Sequence, residues 1–253
     1  VSALLLVNGQ PSSAAIAQDP GLLSGVGVFE TLRTYGLAPF RLGAHLERLQ
    51  HSAGAIGLAL DLVQVAEEIQ EQLSEDVSIR YTLTAGGARI LQRRPIEQAY
   101  VGHPRSVASI DWIHPVGLPG TVKHTSRAPW LVTAQALGVD EVLLCDPSGH
   151  ILEANRSNIF AVVEGQLRTP PLDGNQLEGV TRGALLQAAS MAGIEIAEVA
   201  VPNWAPMEAL YLSSTLKELA PVSTFGGESL AVNHPLGKKL HAAFRSLVAQ
   251  ECG

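Results

Sequence analysis

Residues 26–49 read Val26-Gly27-Val28-Phe29-Glu30-Thr31-Leu32-Arg33-Thr34-Tyr35-Gly36-Leu37-Ala38-Pro39-Phe40-Arg41-Leu42-Gly43-Ala44-His45-Leu46-Glu47-Arg48-Leu49, and the pattern changes within them. Val26 to Arg33 and Pro39 to Arg41 are rich in strand formers and turn at Gly36. From Leu42 the apolar positions (Leu42, Leu46, Leu49, Ala53, with His45 among them) take helical spacing. A hairpin running directly into a helix marks an α+β chain.

The same reading extends outward. Ala3 to Val7 is a strand ending at the hairpin signal Asn8-Gly9. Leu62 to Leu73 is an amphipathic helix, and Val77 to Thr84 a strand stopped by Gly86-Gly87. Gln92 to Pro119 has no sustained period and contains one strand, Val107 to Ile113. A domain boundary is placed at its end, giving a smaller α+β half over 1–116 and a larger α+β half over 120–253. In the second half Trp130 to Leu137 is helical. Glu141–Cys145 and His150–Ala154 are strands joined by Asp146-Pro147-Ser148-Gly149. Ile159–Val163 and Gln166–Arg168 form a hairpin through Glu164-Gly165. Thr181 caps a helix to Met191. Ile194–Val201 and Leu210–Ser213 are strands, and Leu236 to Ala249 is a closing helix. Irregular alternation of strands and helices argues against a doubly wound sheet.

Composition narrows the function. The 253 residues carry a net charge of −7 with 46% apolar and 16% charged residues, a globular mixture. That balance speaks against nucleic-acid or anionic-membrane binding. No apolar run reaches the roughly 18 residues of a membrane span. Cys145 and Cys252 lack metal-type spacing, so no zinc site or disulfide framework is expected. Val1 in place of Met reads as a processed start, and a reducing cytoplasmic setting is the default. Gly25-Val26-Gly27 leads into a strand and is followed by Glu30, so it is no dinucleotide fingerprint. No phosphate loop, zinc-protease helix or serine elbow is present.

A set of motifs remains. Gly27-Val28-Phe29-Glu30-Thr31-Leu32-Arg33 is followed by His45-Leu46-Glu47-Arg48-Leu49, then Lys123. Glu153-Ala154-Asn155-Arg156-Ser157-Asn158-Ile159-Phe160 comes next, then Thr169-Pro170-Pro171-Leu172 and Glu178-Gly179-Val180-Thr181-Arg182. In order and spacing this string resembles the class IV, or fold type IV, pyridoxal-phosphate enzymes. These include branched-chain and D-amino acid aminotransferases and 4-amino-4-deoxychorismate lyases. The resemblance runs from about residue 7 to about residue 225. It implies a two-domain fold with the cofactor between the domains, and a homodimer acting on a small amino substrate.

It also assigns roles. Lys123 occupies the position of the lysine that forms the Schiff base and moves the substrate proton. Lys217 competes with it, and Lys238 and Lys239 lie on an exposed helix face. Glu153 resembles the glutamate that keeps the pyridine nitrogen protonated. Arg48, Val180 with Thr181 at a helix start, and Thr215 resemble the phosphate cup. The bland readings are a solvated lysine, a strand-end glutamate, a surface ion pair and a helix cap.

Substrate positions separate the subfamilies. Branched-chain enzymes carry asparagine and tyrosine where this chain has Arg127 and Ala128. Arginine at that first place is similar to the lyases, which also have a threonine at the site of Thr31, proposed to assist proton movement. D-amino acid aminotransferases place an Arg-x-His pair after the mid-domain glycines. Arg89 follows Gly86-Gly87, but Leu91 stands where the histidine would be. Arg89 remains a candidate for a substrate carboxylate. The resemblance therefore implies aminodeoxychorismate lyase activity first, giving p-aminobenzoate and pyruvate in a folate branch. The alternative is an aminotransferase of branched-chain or D-amino acids, and a third is a binding homologue without turnover.

Overall fold

The structure, a computed structural model, describes residues 4–11 and 19–253. The chain divides into two compact units that are not consecutive in sequence.

The first unit runs to Glu97 and also takes Gly120–Arg127 and Gln250–Gly253. Its elements are β1 (Leu4–Val7), β2 (Gln10–Pro11), α1 (Pro20–Leu23), β3 (Gly27–Tyr35), β4 (Ala38–Pro39), α2 (Leu42–Ala55), α3 (Leu62–Gln70), β5 (Val77–Thr84) and β6 (Arg89–Pro95). The strands form one antiparallel sheet in the order β2-β1-β6-β5-β3-β4. The β1–β2 turn is Asn8-Gly9, both at positive φ, as a two-residue hairpin requires. Ala3, the expected start of that strand, lies outside the described residues.

Register sorts the sheet's two faces. Val28, Glu30 and Leu32 stand opposite Leu83, Tyr81 and Ile79 on one face. Buried Leu49 and Ala53 of α2 and Val65 and Ile69 of α3 belong to this unit's core. Phe29, Thr31 and Arg33 stand opposite Thr82, Arg80 and Ser78 on the other face.

The second unit comprises Gln98–Pro119 and Ala128–Ala249. It contains β7 (Arg105–Asp111), α4 (Ala128–Leu137), β8 (Glu141–Cys145), β9 (His150–Ala154), β10 (Asn158–Val163), β11 (Gln166–Thr169), α5 (Val180–Met191), β12 (Ile196–Glu198), β13 (Val201–Pro202), β14 (Met207–Ser214), β15 (Glu218–Phe225), β16 (Glu228–Ser229) and most of α6 (Pro235–Cys252). Its strands run in the order β12-β11-β10-β14-β15-β7-β8-β9-β13, with β16 beside β15. The contacts of β7 with β15 and β8, and of β12 with β11, are parallel. Ile159, Ala161, Leu210, Leu212 and Val222 pack with Leu143 and Ile151 into one apolar cluster. The α+β class expected from sequence is found.

Several local expectations differ. The aperiodic stretch from Gln92 conceals the end of β6, whose surface arginines hide a strand paired on both sides. The helix expected to Leu73 ends at Gln70, where Glu71 to Leu73 continue as hydrogen-bonded turns. Thr181 is not the cap of α5: Gly179 is the N-cap, and Thr181 is the second helical residue. Ile194–Val201 is not one strand, because the chain leaves β11 after Glu198 and joins β9 at Val201. Residues 98–116, read in sequence as the end of the first half, pack with 117–119 in the second unit, and 120–127, with Lys123, read as the start of the second half, pack in the first. That last placement follows from pairing: Val28 bridges His124, and the Phe29 N–H donates to the Lys123 carbonyl at 3.0 Å. No helix among the described residues is long and apolar enough to cross a membrane.

Candidate functional site

In the first unit, Lys123 is held by its backbone. Its N–H donates to the buried Ser52 hydroxyl at 3.1 Å, and its carbonyl accepts from Phe29. The ammonium lies 4.9 Å from the centre of the Phe29 ring. Two guanidinium groups share that ring, Arg80 at 3.6 Å and Arg127 at 5.9 Å. Three cations around one aromatic ring make a strongly positive surface. Burial, followed by the neighbouring Arg94 charge, lowers the Arg80 pKa. Thr31 pairs directly with Arg80 across the β3–β5 ladder.

Behind this surface, on the helix-covered face, Glu30 accepts both Arg48 Nε at 2.7 Å and a second Arg48 nitrogen at 2.8 Å. His45 Nδ1 lies 2.8 Å from the same carboxylate. Burial alone would raise the Glu30 pKa, but the Arg48 charge and the hydrogen bonds from Arg48 and His45 outweigh it and hold the group well below the usual carboxylate range. Burial lowers the His45 pKa. With Arg48 already balancing Glu30, the imidazole stays neutral, and Nδ1 carries the proton toward Glu30. Arg48 is therefore oriented by a bidentate pair rather than standing as a surface ion pair.

Arg89 is placed elsewhere. Register sets it beside Leu83, on the helix-covered face, where its Nε donates to Glu68 of α3 at 3.0 Å. Tyr81 donates to the same carboxylate at 2.6 Å. Arg80 belongs to none of the motifs that the sequence singles out. Its signal was a cation inside an alternating strand, between Ile79 and Tyr81.

In the second unit, Glu153 on β9 accepts from the Leu177 N–H at 3.2 Å and from the Asn158 amide at 3.4 Å. The Asn158 amide also donates to the Leu177 carbonyl at 2.9 Å. A Cβ at Gly179 would run into the Asn158 side-chain oxygen, so any larger residue there must displace the Asn158 amide. Gly179 is the N-cap of α5 and has no side chain to cap it, so the first-turn N–H groups of Val180, Thr181 and Arg182 receive no hydrogen bond from the cap residue. Thr181 is buried. Thr215 lies in the turn between β14 and β15, and β14 pairs with β10 through Ser213 and Asn158.

The competing lysine is engaged. Lys217 is 3% exposed and its ammonium lies 2.6 Å from the buried Glu141 carboxylate. Lys238 and Lys239 lie on α6. Cys145 is buried, and burial pushes its thiol pKa up to about 11, so it stays protonated. Among the described residues no group of three or more His, Cys, Asp or Glu side chains could hold a metal.

The profile of the amino-transferase class IV family matches residues 27–225. A Thermotoga maritima protein named "Probable branched-chain-amino-acid aminotransferase" is 30% identical over 220 residues, spanning 82% of this chain and 80% of that one. The branched-chain aminotransferase of Thermoproteus uzoniensis, solved with norvaline, superposes with a TM-score of 0.84 at 25% identity, over 99% of this chain and 96% of that one. A Legionella pneumophila protein provisionally named as a 4-amino-4-deoxychorismate lyase superposes with a TM-score of 0.76 at 21% identity, over 94% and 96% of the two chains.

Proposed function

Because this chain belongs to the class IV aminotransferases and is a pyridoxal-phosphate-dependent enzyme, we propose that it acts as a lyase on 4-amino-4-deoxychorismate, forming p-aminobenzoate and pyruvate. The observation that carries this reading is the convergence of Lys123, Arg80 and Arg127 on Phe29, with Thr31 opposite Arg80. The proposed substrate bears two carboxylates, which suit two guanidinium groups. A branched-chain amino acid bears one carboxylate and an apolar side chain, a poor match for so much positive charge.

The residues suit the cofactor. The uncapped start of α5 offers N–H groups to a phosphate. Glu153 is a carboxylate held in place by Leu177 and Asn158. In this reading Val180, Thr181, Thr215 and Arg48 bind the phosphate, Glu153 keeps the ring nitrogen protonated, and Lys123 carries the cofactor. When bound, the cofactor supplies an electron sink for the carbon bearing the substrate amine. Lys123 removes the proton from that carbon, and Arg80 and Arg127 hold the carboxylates. The adjacent ring C–O bond breaks, and its oxygen leaves as enolpyruvate with Thr31 assisting the proton on that side. Enolpyruvate takes up a proton to become pyruvate, and the ring becomes aromatic. Neither water nor an amino acceptor is consumed. Arg80 takes the carboxylate role that the sequence suggested for Arg89, because Arg89 is paired with Glu68 on the opposite face.

The second reading, an aminotransferase, is supported by the name of the Thermotoga relative. Product analysis decides between them. p-Aminobenzoate and pyruvate in equal amounts, without an added oxo acid, support the lyase. Conversion of the bound aldehyde to its amine by an amino acid, with release of the oxo acid and no p-aminobenzoate, sinks it. Loss of the visible cofactor band in Lys123→Ala tests the lysine itself. A cytosolic homodimer completes the proposal, and sedimentation of the holoenzyme tests the dimer.

A further inference from the structure

Lys217 is a buried charge for which the reaction has no use. Its ammonium meets Glu141 at 2.6 Å, the Ser157 hydroxyl at 3.0 Å and the Ser214 hydroxyl at 3.4 Å. Glu141 is fully buried and also accepts from the Arg156 N–H at 3.2 Å and from the Ser157 hydroxyl at 3.1 Å. The Lys217 backbone N–H closes the Ser214–Lys217 turn on the Ser214 carbonyl at 3.2 Å. Thr215 is the second residue of that turn. Ser157 directly precedes Asn158, whose amide reaches Glu153.

We propose that Lys217 is a positioning residue, a charged tie joining the turn that carries Thr215 to the 155–158 turn that supports Glu153. This rests on the cofactor roles proposed above for Thr215 and Glu153. The tie pulls two loops onto one anchor, the Glu141 carboxylate at the start of β8. The β10–β14 ladder sets Ser213 beside Asn158, and the tie adds a side-chain link beyond it, in the turn that carries Thr215. Charge-assisted hydrogen bonds in a buried setting give a stiffer link than neutral ones, and supports of this kind fix the residues that touch a ligand.

Removing Lys217 alone would strand a buried carboxylate and risk unfolding, so the main variant removes both charges, Glu141→Gln with Lys217→Met. Ser157→Ala is the milder variant, since it keeps the ion pair and the Arg156 N–H contact with Glu141 and removes only the hydroxyl that Lys217 reaches on the 155–158 turn. Val248→Ala, in the core contact of α6, is the control for lost stability. Pyridoxal phosphate affinity is measured by titrating the visible band and by cofactor retention on dialysis of the holoenzyme. Thermal unfolding is followed in parallel. The double variant is expected to bind the cofactor at least tenfold more weakly and Ser157→Ala at least threefold, while Val248→Ala keeps wild-type affinity despite a lower melting temperature. Affinity within twofold of wild type in Ser157→Ala, or in a folded double variant, overturns the proposal. So does an equal loss in Val248→Ala. If wild-type protein shows no band that Lys123→Ala removes, the cofactor roles themselves fail, a result distinct from unchanged affinity in the tie variants.

Discussion

Thr31 and Arg80 stand opposite each other on β3 and β5, on the face of the sheet that carries Phe29, whereas Arg89 is on the reverse face with Glu68. In the lyase reading proposed above, this hydroxyl and guanidinium, beside the same ring as Lys123, are the groups that select the substrate.

Arg80→Ala is expected to raise KM for a dicarboxylic substrate about tenfold to a hundredfold, as loss of a charge-assisted hydrogen bond worth about 1.5–3 kcal/mol would. Arg89→Ala should change KM by no more than about twofold, because its partner is Glu68. Steady-state kinetics on both variants checks the assignment, and the opposite order would return the role to Arg89.

Acid should unfold the first unit through Glu30 and His45. The folded Glu30 carboxyl lies below its ordinary 4.5, so its stabilisation is complete above that pH and is lost as pH falls further. The folded His45 lies below its ordinary 6.5. Below that pH the unfolded chain takes up a proton that the folded chain resists, and stability again falls with pH. Denaturant titrations at several pH values should show a decline that begins below 6.5 and steepens below 4.5. Glu30→Gln should be less stable at neutral pH and should lose the steeper part.

Gly179→Ala should cost about 1–3 kcal/mol, because the new methyl displaces the Asn158 side chain. Asn158 also supports Glu153, so cofactor affinity should fall with stability. Thermal unfolding paired with a cofactor titration measures both, and a neutral result would mean that Asn158 has room to turn aside.

Gly237→Ala reverses the usual helix rule. In an open helix this change gains about 1 kcal/mol of propensity. Within α6 the added methyl would run into the Tyr211 ring of β14. Overpacking of about 1–3 kcal/mol outweighs it, for a net loss of up to about 2 kcal/mol. A raised melting temperature would refute this.

Local chemistry was readable from the residues alone. The turns at Asn8-Gly9 and Glu164-Gly165 fall where expected, with all four residues at positive φ, and strands Glu141–Cys145 and His150–Ala154 have the expected bounds. Non-local pairing was not readable. Whether Arg80 or Arg89 joins Thr31 depends on the register of three strands, and the glycines before Arg89 carry no information about which face it takes. The Glu30–His45–Arg48 group was visible only as Arg48, because its carboxylate comes from a separate strand. Lys217 rivals Lys123 in the sequence, and only the fold sets Glu141, distant in the chain, beside its ammonium.

The edge of β3 has a consequence for biosynthesis. Phe29 and Gly27 find hydrogen-bond partners in Lys123 and Thr125, residues translated only after the whole 98–119 stretch. A nascent chain that has emerged only as far as Glu97 has its first sheet but an open ladder along β3. Truncations ending there should therefore be prone to self-association on the ribosome or in the test tube, and those reaching Arg127 less so.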